Sequence, residues 1–68
     1  MKSVSGKVLA TALEQHGWEL ARINGSHYIY IKQGNFVRLS VPIHGNKSLQ
    51  PGLLKALLKQ ASLTENDL

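Results

Sequence analysis

The chain has 68 residues, 43% of them hydrophobic, with no cysteine, three histidines and a formal net charge of +4. That length allows one domain with a small core, since a chain of this size buries only about 60% of its unfolded surface. It holds no disulfide, no cysteine–histidine zinc spacing, no ~20-residue apolar span and no apolar leader, so a cytoplasmic globular protein is expected. The absence of cysteine fits a reducing compartment.

Ser5-Gly6-Lys7 leads into Val8-Leu9 and Ala12-Leu13, apolar pairs four apart that form one face of a helix. Ser5, or Ser3, can cap it by accepting a bond from a first-turn amide. His16-Gly17 ends it, because glycine tolerates the left-handed backbone of a helix stop. His16 falls in the last turn, where positive charge suits the dipole, and reads as structural or solvent-facing.

Trp18 to Ile23 reads as a first strand and Asn24-Gly25 as a turn. Tyr28 to Lys32 is a second strand, rich in aromatic and β-branched residues. Gln33-Gly34-Asn35 turns the chain again. Phe36 to Val41 is a third strand, with Val37, Leu39 and Val41 on one face and Phe36, Arg38 and Ser40 on the other. Pro42 removes a ladder donor and ends it.

His44 to Gln50 is a polar loop, and Pro51 suits the first turn of a second helix. Leu53, Leu54, Leu57, Leu58 and Ala61 repeat the four-residue apolar spacing there. Lys55 and Lys59 lie four apart on its exposed side with no acid between them, a mildly destabilising pair that points either to a solvated face or to a ligand. Thr64 can cap one final turn within Ser62 to Leu68. The order predicts an α+β fold: helix, three-stranded antiparallel meander, helix, with both helices on one side of the sheet.

From Leu20 to Thr64 there is no Asp or Glu, while Arg22, Lys32, Arg38, Lys47, Lys55 and Lys59 all fall there. With a pI of about 9.8, this balance points to a polyanion held by salt-sensitive contacts. A membrane surface fits less well, because neither helix pairs a dense basic face with large apolar anchors.

His27 begins the second strand just after a glycine-containing turn. Strict alternation puts it with Ile29 and Ile31, toward the helices, as a histidine at the core's rim. The rule loosens at a strand end, so the imidazole can instead emerge at the hairpin edge. His44, in a loop beside Pro42 and Gly45, is either an ordinary polar group or a second proton-transfer group, and Lys47 nearby would favour a neutral imidazole. Other chemistries are poorly supported. No carboxylate cluster exists for magnesium and the histidines make a poor zinc site. Gly45-Asn46-Lys47-Ser48 looks like the end of a phosphate loop but lacks its preceding spacing.

Taken together, Ser5-Gly6-Lys7, the helix ending at Gly17, Gly25-Ser26-His27, Val41-Pro42-x-His44, and Pro51-Gly52-x-Leu54 through Leu58-Lys59-Gln60-Ala61 resemble the HicA (YcfA-like) toxins of toxin–antitoxin modules. The likeness runs over nearly the whole chain and lies in the order and spacing of these motifs. It implies a single domain over 1–68, like a double-stranded RNA-binding domain, acting as an mRNA interferase in stress response. It also implies that the histidine of Gly-Ser-His, here His27, is catalytic, and that a cognate HicB-type antitoxin neutralises the protein. Family members often carry an acid shortly after Val-Pro-x-His, where this chain has Ser48.

The expectation is therefore a type II toxin: an endoribonuclease that uses no metal or cofactor. His27 is the base and His44 a candidate acid, with Lys7, Ser26, Lys47, Lys55 and Lys59 contacting RNA. Its partners are mRNA and a HicB-type antitoxin, with no membrane. Two other classes stand beside it: a non-catalytic RNA-binding module of the same fold, and an antitoxin-binding protein without ribonuclease activity.

Overall fold

The computed structural model describes residues 4–45 and 47–68. Ser3, the alternative cap, and Asn46 of the polar loop lie outside the described residues. The elements are α1 (Gly6–Gln15), β1 (Glu19–Asn24), β2 (His27–Lys32), β3 (Asn35–Pro42) and α2 (Pro51–Gln60), followed by a 3₁₀ turn, Glu65–Asp67. The strands pair antiparallel in the order β1-β2-β3. The expected helix–sheet–helix architecture is the one adopted.

Capping explains the helix bounds. Ser5 Oγ accepts from the Val8 amide at 3.3 Å, which satisfies one of the donors that a helix start leaves unpaired. At the other end the His16 amide reaches the carbonyls of Ala12 and Leu13, and Gly17 follows with φ +92°. The His16 ring joins this stop: its Nδ1 lies 2.8 Å from the Ala12 carbonyl oxygen and its Nε2 3.6 Å from Asp67 Oδ1. Thr64 caps the final turn, its Oγ1 accepting from the Asn66 amide while its own amide donates to Asp67. The Thr64 amide, first among the causes, holds the Asp67 carboxyl below its ordinary value.

One cluster forms the core. Leu9 and Leu13 come from α1, Leu54, Leu57 and Leu58 from α2, and Tyr30, Leu39 and Val41 from the sheet. Both helices thus cover the same sheet face and leave the other open. Trp18, expected to begin the first strand, lies ahead of β1 instead. Its amide donates to the Leu13 carbonyl at 2.9 Å and its ring is buried in the core. Burying that large ring against α1 outweighs extending the ladder by one residue.

The polarity of β2 differs from the alternation expected for it. Tyr28 pairs with Val41 and Tyr30 with Leu39, and these four point toward the helices. Ile29 and Ile31 face the other way with His27. The hairpin register decides this: Leu39 and Val41 are the apolar pair of β3, and cross-strand partners share a face. Tyr30 can then be buried because its hydroxyl donates to Glu14 Oε2 at 2.8 Å. His27 keeps the strict alternation with Ile29 and Ile31, but that face is the open one, so the ring is exposed there rather than set at the core's rim.

Gly6 locks α1 to the end of the sheet. A Cβ there would fall on the Pro42 carbonyl oxygen and stand 2.9 Å from Ile43 Cγ1. The Leu49 amide donates to the Val4 carbonyl at 2.7 Å, and Ser5 bridges to Ser48. The loop after β3 is thereby held beside the start of α1.

Candidate active site

The turn between β1 and β2 is set by the pairing of Asn24 with His27, which leaves Gly25 and Ser26 as a two-residue loop. Gly25 takes φ +63° and Ser26 does not take a positive φ. This is the pattern of a type II′ turn, whose first position glycine fills without strain. Pro42 has no amide to donate, and the ladder continues past it. The Ile43 amide donates to the Ser26 carbonyl at 2.8 Å. The Gly-Ser-His turn is therefore latched to the strand end that leads into His44.

His27 is exposed on the open face, paired across the sheet with Pro42. Ser40 Oγ lies 3.2 Å from its Nδ1. In the tautomer that carries its proton on Nδ1, the ring donates to Ser40 and Nε2 presents a lone pair to solvent. That is the form a general base needs.

His44 is exposed two residues beyond His27's cross-strand partner. With Lys47, Ser48, Gln50 and Leu53 it lines a shallow cleft of about 230 Å³. Lys7 is exposed next to Gly6, which abuts Pro42 and Ile43. Ser26, His27, His44, Lys47 and Lys7 thus gather at one end of the sheet. Lys55 and Lys59 are placed differently, on the exposed side of α2 in the helical layer. Among the described residues no group of three or more His, Asp or Glu stands close enough to hold a metal ion.

Three residues escaped sequence reasoning as part of the site. Ser40 is diagonal to His27 across β2 and β3, and only the register reveals it. Arg22 pairs with Ile29, which pairs with Ser40, so Arg22 shares His27's face. Arg38 is exposed opposite the buried side chain of its neighbour Leu39. The Asn24–His27 turn sets the register that places Arg22, but the pairing of β2 with β3 shifts between Tyr30 and Lys32, so no count from the second turn finds Ser40 or Arg38.

The arrangement offers an accessible imidazole with one nitrogen already engaged, a second imidazole at the end of the neighbouring strand, and a lysine lining the cleft beside that second ring. Such a set can move a proton on a phosphate-bearing substrate. A family model described as the HicA toxin of bacterial toxin–antitoxin systems matches residues 6–63. No curated protein matches the chain.

Proposed function

The chain belongs to the HicA toxin family, and on that premise we propose that it cleaves mRNA by metal-free proton transfer at His27. Family membership makes it the toxin of a toxin–antitoxin module. His27 Nε2 removes the proton from a ribose 2′-hydroxyl, and the 2′-oxygen attacks the adjacent phosphorus. The bond from phosphorus to the 5′-oxygen breaks, and the leaving oxygen takes a proton from His44. The products are a 2′,3′-cyclic phosphate and a 5′-hydroxyl. General-base catalysis of this kind is worth 10²–10⁴-fold. Lys47 and Lys7 balance charge on the phosphate oxygens, Ser26 donates to the backbone, and Lys55 and Lys59 add to the attractive field.

The observation that carries this reading is His27 itself. It stands exposed at the open end of the sheet with Nδ1 against Ser40, within a stretch free of acids. Helix–sheet–helix order supports the likeness to a double-stranded RNA-binding domain. No described helix is long and apolar enough to cross a membrane, which suits action on cytoplasmic mRNA. A HicB-type antitoxin with carboxylates facing this surface would cover the Gly-Ser-His turn and exclude RNA.

Incubating the purified protein with mRNA in EDTA tests the reading. Strand scission is expected. RNA retained without scission would assign the protein to the non-catalytic RNA-binding class. Binding to the antitoxin with no RNA affinity at low salt would assign it to the class of pure interaction proteins.

A further inference from the structure

The open sheet face carries more than a histidine. Register sets Asn24, His27 and Pro42 in one row across the strands and Arg22, Ile29 and Ser40 in the next. Arg38 and Ile31 continue that face by alternation from buried Leu39 and Tyr30. At the far hairpin Phe36 is 103% exposed, so nothing in the fold covers its ring. The backbone beneath it is nonetheless ordered by a local bond, in which Asn35 Oδ1 accepts from the Val37 amide at 2.8 Å. Single exposed aliphatic residues are ordinary on a protein surface. A fully bare aromatic ring on the same hairpin as an arginine, in an acid-free stretch, offers what a single nucleic-acid strand uses: a stacking surface for a base and guanidinium groups for phosphates. The acid on this face is Glu19, paired with Ile31 at the end away from His27.

We propose that the open sheet face is a platform for single-stranded RNA, with Arg22 and Arg38 on the phosphates and Phe36 stacked on a base a few nucleotides from the bond held at His27. β2 runs from His27 to Lys32, about 16 Å at strand rise, so the two anchors stand at opposite ends of the platform. The cations of this face select a polyanion over an apolar partner. The platform rests on the ribonuclease reading for the position of the cut, but its binding can be measured apart from cleavage.

The experiment uses the full chain carrying His27→Ala, with labelled single-stranded oligoadenylates of increasing length at fixed salt. Affinity should rise once the strand is long enough to reach the far hairpin. Phe36→Ala should remove that rise and weaken the longest strand roughly tenfold or more, within the range for one stacked base. Phe36→Trp should restore it. Arg22→Gln and Arg38→Gln should each lower the slope of log affinity against log salt. Melting curves confirm folding, which an uncovered ring does little to support. Equal binding of all lengths by Phe36→Ala and its parent would overturn the proposal. So would an unchanged salt slope in both arginine variants, or a Phe36→Ala protein that keeps RNA but loses an acidic protein partner. If platform binding is found while the protein with His27 intact leaves RNA uncut, the ribonuclease reading fails and the platform stands.

Discussion

A lone imidazole at a strand end is a weak base unless its direction is set. Ser40 supplies His27 with a partner that holds the ring's direction, its hydroxyl 3.2 Å from Nδ1 and able to bond either tautomer. Ser40→Ala should lower the cleavage rate by less than the 10²–10⁴-fold expected for losing the base itself, with RNA affinity and melting temperature unchanged. Ser40→Thr keeps the hydroxyl and should restore the rate. An equal loss in both variants would remove Ser40 from the positioning of His27. Gly6 matters for the opposite reason, since it is a residue whose missing side chain makes room. Gly6→Ala forces a methyl group onto the Pro42 carbonyl and Ile43. It should cost about 1–3 kcal/mol, as overpacking does, read as a drop in the denaturation midpoint. An unchanged midpoint would mean that α1 shifts freely on the sheet.

At the level of elements, β2 and α2 show how burial and charge divide the work. Burial first, then the bond to Glu14, raises the Tyr30 hydroxyl well above its ordinary value of 10.0. The folded state thus keeps its proton where the unfolded chain has lost it. Stability from this group is complete below about pH 10 and falls as pH rises beyond it. Melting temperature should therefore decline above pH 10 in the parent and less steeply in Tyr30→Phe. On α2, Lys55 and Lys59 repel one another. Lys55→Glu places an acid four residues before Lys59 and should stabilise the helix by about 0.3–0.5 kcal/mol. The same change should weaken RNA binding at low salt, with the difference vanishing as salt screens the field. Stronger RNA binding by Lys55→Glu would contradict the attractive role given to this ridge.

Most elements were legible because their signals are local. The Ser5 cap, the Gly17 stop, the Pro51 start and the Thr64 cap each rest on one or two residues, and each is found where expected. The face of β2 was not legible from its own residues. Tyr28-Ile29-Tyr30-Ile31 is apolar on both sides, and alternation gives a period of two without saying which set faces the core. Leu39 and Val41 settle it from the neighbouring strand. Trp18 was misplaced for a similar reason, since its preference for a strand competes with the burial of its ring against α1. The same gap hid Ser40, Arg22 and Arg38, because they share His27's face only through pairing and alternation.

Over the whole molecule, two helices pack on one face of β2 and β3, leave β1 exposed and leave the other face bare, and the Gly-Ser-His turn is latched at one end of that bare face. A basic chain of this size should bind RNA with an affinity that falls steeply with salt, and an acidic antitoxin should compete for the same surface. The central claim is that His27 is the base of a metal-free ribonuclease. The direct test pairs RNA cleavage in EDTA, with analysis of the product ends, against melting temperature for the parent and His27→Ala. The parent should yield 2′,3′-cyclic phosphate and 5′-hydroxyl ends. His27→Ala should melt at nearly the same temperature, bind RNA nearly as well because phosphate contacts supply most of the affinity, and cleave at background. Full cleavage by a folded His27→Ala protein, a requirement for a divalent ion, or 5′-phosphate ends would contradict it.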